Sequence, residues 1–484
     1  MRQLTIQRVM LVTVFVLLLS LATRIPVDTD TWWHIRSGEH TLTEGMIYED
    51  PFSFTKQGEE WINHSWGSQI ILYGAYQILG NIGLSLYTAI LATAGMAMLY
   101  QICAGNVYLR SFILVLGAAT AAVFWSARPQ MTSFFLSTVI LYLLYMYKYK
   151  KVDRLWLVPP VMLVWGNLHA GFSIGFIFMG GVIAGEILGR LLNPQSENVI
   201  SWTGIRKLII VAVISVAMLV INPYDFKMLL VPFQTVSIGA LRDFIQEWNS
   251  PNFQGRQTWP FIFMIFGLIG ALGATSKKMD ITDFLLVCGT AFMAFLYGRN
   301  IAVFAVVATP ILTYYLDAVL KERGWILRPI QRVTRRQARI NAVLLGLIVF
   351  GALANMIAVL APASVETAQR AFLPMDVAEF IEAEQPTGPM FNSYNWGGYL
   401  MFALPDYPVY VDGRTDLYKD EFLTRYLQTA VGGTDWREVL DEDGINMVVV
   451  ESRSGLALNL REEAGWTLAY EDNKAVIFTR DEPL

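Results

Sequence analysis

A chain of 484 residues that is 54% hydrophobic, 13% aromatic and 16% charged lies outside the balance of soluble proteins, in which about a quarter of the residues are charged. Its formal net charge of −4 argues against a nucleic-acid partner, because nucleic acids select basic surfaces. The two cysteines, Cys103 and Cys288, both lie in apolar runs, which argues against a disulfide framework or a cysteine metal site. The composition predicts a polytopic integral membrane protein.

The first apolar run follows Arg2 and Arg8 and extends over residues 9–21, a pattern shared with secretory signal peptides. It lacks a small-x-small cleavage site and further apolar runs follow, so we interpret it as an uncleaved first span. Apolar runs of about 17 to 23 residues fit helices that cross the bilayer core. The sequence predicts eleven such spans, at 9–24, 84–103, 110–126, 131–147, 155–168, 171–189, 207–222, 258–275, 281–297, 300–318 and 339–361.

The apolar segment 68–80 is too short to cross a bilayer, and we interpret it as a helix that lies in the membrane interface. With the N-terminus inside, Lys and Arg then gather in the inner loops, as the positive-inside rule requires. The loop 25–83 becomes an outer loop, and the odd number of spans leaves the chain after residue 361 outside the cytoplasm. The basic residues of the inner loops are Arg110, Lys148, Lys150, Lys151, Arg154, Arg190, Arg206, Lys207, Lys277, Lys278, Lys321, Arg323, Arg328, Arg332, Arg335, Arg336 and Arg339.

After the last span the chain becomes polar and acidic. Helical patterning at 375–384 is followed by short runs typical of β-strands, which predicts a small α/β domain. The sequence therefore predicts a transmembrane domain over 1–361, which includes the outer loop 25–83, and an extracytoplasmic α/β domain over 362–484. Strands are predicted at 390–392, 409–411, 447–450, 466–470 and 475–478.

Under this topology the polar clusters gather on the outer face. Ionisable groups at span ends usually face a bundle interior or an aqueous cavity, because exposure to lipid is costly. This one-sided distribution predicts a functional site on the extracytoplasmic side. All four histidines lie in outer loops or at the outer ends of spans: His34, His40, His64 and His169.

Asp28 and Asp30 lie just after the first span, one residue apart. Two such carboxylates could share a divalent cation through their oxygens, or one could serve as a general base toward an acceptor. The alternative is that Asp-x-Asp caps an interfacial helix. The neighbouring tryptophans are predicted to belong to the aromatic belt of a membrane protein, and they are Trp32, Trp33, Trp61 and Trp66.

Three further polar residues stand at outer span boundaries. Arg128 and Arg299 are each an isolated cation there, and a guanidinium suits bidentate phosphate binding. The alternative for both is snorkelling of the side chain toward the interface. His169, between two apolar runs, could donate to a phosphate or satisfy a buried carbonyl.

The C-terminal domain contains Tyr394-Asn395-Trp396-Gly397-Gly398-Tyr399, followed by Val409-Tyr410-Val411-Asp412-Gly413-Arg414. Glycines at a turn before a strand would let a ligand approach the backbone closely. The alternative is ordinary turn chemistry. We therefore regard both segments as candidate ligand-binding turns.

The order of these features resembles the GT-C superfamily of membrane glycosyltransferases: a first span, a long acidic outer loop, a short interfacial helix, further spans and an outer α/β domain. The resemblance covers the whole chain in architecture. In sequence it is specific at Asp28-Thr29-Asp30 and at Trp396-Gly397-Gly398-Tyr399 with Val411-Asp412-Gly413. Members transfer a sugar or glycan from a polyprenyl-phosphate or polyprenyl-diphosphate donor, usually with inversion, and use an acidic residue of the first outer loop.

The C-terminal segment is also similar to the Trp-Trp-Asp-Tyr-Gly signature of oligosaccharyltransferase catalytic subunits. When the signature is aligned on Gly398, Trp396 occupies the position of its aspartate. We therefore expect a glycosyltransferase relative with an unknown acceptor rather than an oligosaccharyltransferase.

The resemblance implies roles for individual residues. Asp28 is expected to be the base and Asp30 a metal or acceptor ligand, or the reverse, with a divalent cation such as Mg or Mn. The groups expected to bind the donor phosphate are His34, His64, Arg128, His169 and Arg299. Those expected to bind the acceptor are Trp396, Tyr399 and Asp412.

A lipid-linked donor removes the need for a nucleotide cofactor, and the sequence has no P-loop or Rossmann glycine motif. The expected partners are a polyprenyl-phosphate-linked sugar, membrane lipids and an acceptor that is a glycan, a lipid or a protein. The expected location is the cell membrane of a prokaryote, the inner one where there are two. Two alternative functions are a lipid or solute transporter or flippase, whose sites should lie near the membrane midplane, and a non-catalytic assembly protein.

Overall fold

The computed structural model describes residues 4–192, 199–239, 246–326 and 333–484. The chain divides into two compact units, the membrane unit and the α/β unit. The membrane unit comprises residues 1–24, 85–229 and 246–360, and the α/β unit comprises residues 25–84, 230–245 and 361–484. The loop 25–83, which was predicted as part of the transmembrane domain, therefore groups with the C-terminal segment.

Eleven apolar helices between residues 4 and 360 correspond one for one to the predicted spans. Eight of the helices in the described part of the chain are long and apolar enough to cross a membrane, and three more are shorter. The helices are Ile6–Ala22, Asn81–Ile102, Val107–Ala121, Gln130–Lys150, Val158–Leu168, Ser173–Leu192, Trp202–Leu219, Trp259–Ala274, Ile281–Leu296, Ile301–Glu322 and Arg335–Val359.

Polar caps determine where several of these helices begin. A side-chain oxygen of the residue before the helix accepts a hydrogen bond from a backbone N–H of the first turn, which would otherwise lack a partner. Five helices of the membrane unit begin in this way, with the caps Thr5, Asn106, Ser201, Asp280 and Thr334. The same polar residues interrupt the apolar runs in the sequence, so the predicted spans and the observed helices share their boundaries approximately.

A buried ion cluster joins three helices of the membrane unit. Lys148, predicted to lie in an inner loop, belongs to the last turn of helix Gln130–Lys150. Its Nζ pairs with Glu186 and donates to Asp280 Oδ2 at 3.2 Å. The side chains of Lys148 and Glu186 are only 2% and 1% exposed. Each charge therefore depends on the other for stabilisation, because burial removes hydration from both.

The α/β unit contains a four-stranded sheet. Its strands are β1 (Met390–Asn392), β2 (Met447–Glu451), β3 (Trp466–Glu471) and β4 (Ala475–Arg480), in the spatial order β1-β2-β4-β3. β1 and β2 are parallel, and β4 runs antiparallel to both of its neighbours. All four were predicted. β2 and β4 are buried over most of their length, whereas the edge strand β3 is half exposed.

The fifth predicted strand, residues 409–411, does not pair in this sheet. The N–H of Val409 donates to the carbonyl of Phe52 at 3.3 Å, and its own carbonyl accepts from the N–H of Phe54 at 3.2 Å. The side chain of Asn392 bonds the peptide groups that follow, at 2.7 and 2.8 Å. Burial accounts for the apolar composition of this segment, and its backbone bonds link the outer loop to the C-terminal chain.

Nine helices complete the described part of the α/β unit. The short apolar segment predicted at 68–80 is a separate helix, Trp66–Leu79, which ends before Gly80 at a positive φ of 56°. A left-handed residue of this kind terminates a helix, and glycine adopts it without steric cost. The nine are Asp30–Thr43, Trp66–Leu79, Val231–Ser237, Pro362–Phe372, Met375–Glu384, Tyr394–Ala403, Thr415–Ala430, Trp436–Glu442 and Gly455–Leu460.

We predict that Lys148→Met lowers the thermal stability of the purified protein in detergent. The substitution leaves Glu186 buried without its cation, and loss of one partner of a buried pair typically costs about 3–5 kcal/mol. The matched control is Lys207→Met, which breaks a pair with Asp153 whose side chains are 48% and 43% exposed and should cost at most about 1 kcal/mol. Equal losses of unfolding free energy in the two variants would contradict this account.

Candidate functional site

The predicted acidic pair begins the helix Asp30–Thr43 in the α/β unit. Asp28 Oδ1 accepts a hydrogen bond from the N–H of Asp30 at 3.1 Å, and its carbonyl accepts from the N–H of Thr31 at 3.2 Å. Asp30 Oδ1 accepts from the indole Nε1 of Trp33 at 3.1 Å. Asp28 thus turns the chain into the helix, and Asp30 lies in its first turn, where the helix dipole favours negative charge.

The two glycine-containing segments of the C-terminal chain lie against this acidic turn. A Cβ at Gly413 would overlap Asp30 Oδ1 and lie 3.0 Å from Trp33 Nε1. A Cβ at Gly398 would lie 2.7 Å from the carbonyl oxygen of Thr29 and 2.9 Å from Trp33 Cδ1. At Gly398 the added Cβ would meet the backbone of Thr29, so that position favours glycine. At Gly413 it would meet the side chain of Asp30, which would have to move. The sequence analysis predicted close approach of a ligand to these glycines, and the structure shows close approach of the chain itself.

The segment around Trp396 is a helix, Tyr394–Ala403, so its interpretation as a turn is wrong. Trp396 is buried in it. Tyr399 is half-buried, and its ring meets that of Trp32 edge-on at a centroid distance of 5.4 Å. Burial raises the pKa of Tyr399 to about 12, so its hydroxyl remains protonated near neutral pH and can donate a hydrogen bond.

The tryptophans of the outer loop do not form an aromatic belt. Trp32, Trp33 and Trp61 are 3%, 5% and 2% exposed. The Trp33 and Trp61 rings lie 6.1 Å apart, and Trp32 also packs on Tyr76 at 6.0 Å. The belt interpretation is therefore wrong for these three residues, because they fill the interior of the α/β unit instead of its surface.

Asp412, predicted to bind the acceptor, is fully buried in an ion network. Its Oδ1 accepts from Arg414 Nε at 2.8 Å, and its Oδ2 accepts from Arg414 Nη2 at 2.7 Å and from the Tyr418 hydroxyl at 2.8 Å. Arg414 Nη1 also pairs with Asp50. Burial alone would lower the pKa of Arg414, but the two carboxylates outweigh it and raise that pKa well above its ordinary value. Asp412 therefore holds a buried cation, and direct contact with an acceptor is sterically closed to it.

His34 and His64, both in the outer loop, differ in burial. His34 is 4% exposed, and its Nδ1 lies 3.2 Å from Nε2 of Gln69. The Oε1 of the same Gln69 amide accepts from Asn63 Nδ2 at 2.6 Å. Because an amide Nε2 can only donate, His34 Nδ1 is the acceptor and its neutral ring carries the proton on Nε2. His64 is half-buried, with Nδ1 at 2.8 Å from the hydroxyl of Ser65.

His169 lies in the membrane unit, where two donors converge on its Nδ1. The N–H of Gly171 donates at 3.0 Å, and the hydroxyl of Ser133 lies at 2.7 Å. The same hydroxyl accepts from the indole Nε1 of Trp165 at 2.7 Å. These bonds assign the proton of the neutral ring to Nε2, so His169 presents a donor there.

Arg128 and Arg299 share one carboxylate in the membrane unit. Glu247 lies 3.4 Å from Arg128 Nη1 and 3.6 Å from Arg299 Nη1. The Arg299 guanidinium also lies 4.4 Å from the ring centroid of Trp248, a cation–π contact. Burial opposes ionisation of Glu247, but the charges of the two arginines outweigh it and lower its pKa. The description of these arginines as isolated cations is therefore wrong.

The predicted residues fall into both units. Arg128, His169 and Arg299 belong to the membrane unit, and the remaining ones belong to the α/β unit. The remaining ones are Asp28, Asp30, His34, His64, Trp396, Tyr399 and Asp412. Within the described residues, no group of three or more His, Cys, Asp or Glu side chains is arranged to hold a metal ion.

Sequence reasoning missed three charged residues that organise these clusters. Arg414 follows Asp412 and Gly413 directly, so the Asp-Gly-Arg triplet was a usable signal. Glu247 stands beside Trp248 in a polar outer segment, yet nothing in its neighbours along the chain indicates two arginine partners. Asp50 gives no local signal.

Comparison with known proteins relates the chain by structure. No protein-family model matches the sequence, and no curated protein matches it. ArnT from Cupriavidus metallidurans, bound to undecaprenyl phosphate, is similar with a TM-score of 0.50 and 15% identity, over 97% of this chain and 96% of ArnT. The same protein in its apo state gives a TM-score of 0.51 and 16% identity, over 97% and 96% of the two chains.

An archaeal oligosaccharyltransferase is similar as well. AglB from Archaeoglobus fulgidus, in complex with an inhibitory peptide and a dolichol-phosphate, gives a TM-score of 0.52 and 12% identity, over 96% of this chain and 73% of AglB. ArnT and AglB are GT-C glycosyltransferases. The predicted resemblance to this superfamily is thus confirmed at the level of the fold.

Proposed function

We propose that this protein is a membrane glycosyltransferase that moves a sugar or glycan from a polyprenyl-phosphate or polyprenyl-diphosphate donor to an acceptor on the extracytoplasmic face. One observation carries the proposal. Within a chain of GT-C fold, the acidic turn of Asp28 and Asp30 packs against Gly398 and Gly413, so that the two segments that resemble the superfamily in sequence meet in space. The undecaprenyl phosphate of ArnT and the dolichol-phosphate of AglB support a lipid-phosphate ligand.

The acids are proposed to act on the acceptor. One carboxylate takes the proton of the attacking hydroxyl or amide while the new glycosidic bond forms and the bond to the phosphate breaks with its electron pair leaving on the lipid phosphate. Such a displacement inverts the sugar carbon. The base is Asp28 or Asp30, and the other carboxylate binds the cation or the acceptor.

Asp28 and Asp30 also fit a hard divalent cation such as Mg²⁺ or Mn²⁺. Both offer carboxylate oxygens, and Mg²⁺ is typically bound by one or two carboxylates together with water and substrate phosphates. A cation held there would offset the charge that develops on the departing phosphate. The proposal requires no nucleotide cofactor.

The donor phosphate is proposed to bind Arg128, Arg299 and His169 of the membrane unit. The two guanidinium groups supply several N–H donors, and His169 offers an Nε2–H donor. A phosphate suits this set because planar N–H groups and a ring N–H bind its oxygens directionally.

The acceptor is proposed to contact the helix Tyr394–Ala403. The proposed contacts are the protonated hydroxyl of Tyr399 and the residues near Trp396. Asp412 contributes indirectly by fixing the turn that contains Gly413. The acceptor is a glycan, a lipid or a protein.

The topology is proposed to be N-inside and C-outside with eleven spans, in the cell membrane of a prokaryote, so that 362–484 is extracytoplasmic. We predict that, in a cysteine-free background, Asn473→Cys is labelled by a membrane-impermeant maleimide on intact cells. Lys278→Cys should be labelled only after permeabilisation. Both positions are exposed, so accessibility differs by side of the membrane alone. Labelling of residue 278 on intact cells would overturn the orientation.

We predict that Asp28→Asn and Asp30→Asn each reduce turnover of a polyprenyl-phosphate sugar by at least about 100-fold. One of the two is the general base, whose assistance contributes on the order of 10²–10⁴-fold, and the other binds the cation or the acceptor. The assay is release of labelled lipid carrier by purified protein. The exposed Asp406→Asn is the matched control and should retain activity. Chelation with EDTA should abolish turnover, and Mg²⁺ or Mn²⁺ should restore it.

Near-normal turnover in both variants, with unchanged thermal stability, would refute the proposed chemistry. Full activity in EDTA would refute the cation alone and leave the base in place.

We predict that Arg128→Gln and Arg299→Gln weaken binding of undecaprenyl phosphate, measured by fluorescence or calorimetry in detergent, by about 10- to 100-fold. This corresponds to loss of a charge-assisted hydrogen bond of about 1.5–3 kcal/mol. Glu247→Gln should tighten binding, since it removes a carboxylate that competes for the same guanidinium groups. The exposed Arg256→Gln is the control. Unchanged affinity in both arginine variants would show that the phosphate binds elsewhere.

A further inference from the structure

We propose that Gly413 and Arg414 are positioning residues: a buried ion triad of Asp50, Arg414 and Asp412 fixes the turn whose glycine seats the carboxylate of Asp30. The inference deepens the proposed function, on which its kinetic part rests. Its structural part stands on the geometry of the α/β unit alone.

The triad is fully buried and saturated with hydrogen bonds. The side chains of Arg414, Asp412 and Asp50 have 0% exposure. Asp50 accepts from the N–H groups of Phe52 and Ser53, each at 3.1 Å. A buried charge cluster is generally no more stabilising than well-packed apolar residues of the same volume. Such a cluster instead fixes the orientation of the chain that carries it, because a guanidinium with fixed partners allows only one orientation.

Aromatic rings enclose the guanidinium. It lies 4.8 Å from the ring centroid of Trp61 and 5.3 Å from that of Phe52. Trp61 Nε1 in turn donates to Asp416 Oδ2 at 3.1 Å. Arg414 is therefore clamped between the outer loop and the C-terminal chain, and its backbone cannot shift without disturbing both.

Gly413 transmits this constraint to the acidic turn. It precedes Arg414 directly, and Asp30 Oδ1 lies where its Cβ would be, while Trp33 Nε1 donates to the same oxygen at 3.1 Å. The carboxylate is thus held between a backbone and an indole. A displacement of about 1 Å at a reacting group can cost about 100-fold in rate. The position of the Asp30 carboxylate must therefore be fixed, and the ion triad fixes it by holding the turn that contains Gly413.

The test uses an observable that does not depend on activity. The purified protein is labelled with 5-fluorotryptophan, and the ¹⁹F signal of Trp33 is assigned from its loss in Trp33→Phe. We expect Gly413→Ala to shift this signal, because the added methyl displaces Asp30 from the indole. Arg414→Lys, which keeps the charge but loses the planar fork, should shift it in the same direction.

Gly74→Ala is the matched control, since a Cβ at Gly74 meets nothing within 4 Å and alanine favours a helix. It should leave the Trp33 signal unchanged and should not lower thermal stability. The folded state of each variant is verified by thermal unfolding. An unshifted Trp33 signal in folded Gly413→Ala would overturn the positioning role, whatever the activity.

The kinetic arm measures turnover of a polyprenyl-phosphate sugar. Gly413→Ala should lower kcat at least about tenfold and leave the KM of the donor within about twofold, whereas a purely structural defect would lower the amount of active protein without moving the Trp33 resonance. A shifted Trp33 signal in Gly413→Ala with full turnover would show that the position of Asp30 does not affect catalysis, and it would overturn the kinetic part of the proposal. A shifted signal in a protein without any transferase activity would uphold the seat and refute the proposed function.

Discussion

The α/β unit depends on the absence of side chains at three positions. A Cβ at Gly397 would overlap the backbone carbonyl of Val411, and Gly398 and Gly413 would clash with the acidic turn. Backbone therefore packs on backbone, and segments from opposite ends of the sequence form one compact unit. At Gly397 and Gly398 the contact is with backbone carbonyls, which have no rotatable side chain to yield, whereas at Gly413 it is with the side chain of Asp30. The acidic turn consequently inherits its rigidity from the C-terminal chain.

The helices of the membrane unit were predictable because lipid leaves few options. A spanning segment must satisfy its backbone internally and bury no unpaired charge, so apolar runs between charged breaks predict helices directly. The same logic fails in the α/β unit. The apolar residues 409–411 resemble a strand because strands are usually buried, yet their peptide groups bond a loop and Asn392. The glycines of 394–399 predicted a turn, although they serve as contact points on a helix.

The ionisable residues of the candidate site could be selected from the sequence, but the partners with which they pair could not. The acidic pair, the histidines and the arginines were found because ionisable groups are rare in an apolar chain, and their scarcity alone marks them. Their partners are distant in sequence: Asp50 pairs with Arg414, and Glu247 pairs with Arg128. Such pairs follow from the fold, and one sequence without its structure carries no local pattern that links them.

The ion clusters around Lys148 and Arg414 differ from the cluster around Glu247 in burial and in the length of their ion pairs. Lys148 with Glu186, and Arg414 with its carboxylates, are at most 2% exposed and closely paired, so removal of Lys148 or Arg414 leaves carboxylates without their cation in a dry interior. Glu247 is 33% exposed and stands 3.4 and 3.6 Å from its arginines, longer than the roughly 2.7–2.9 Å of a strong charge-assisted bond. Weak, hydrated pairing of this kind can be exchanged for another anion at small cost. The first two clusters therefore stabilise the fold, whereas the cluster around Glu247 is more exposed and its ion pairs are longer.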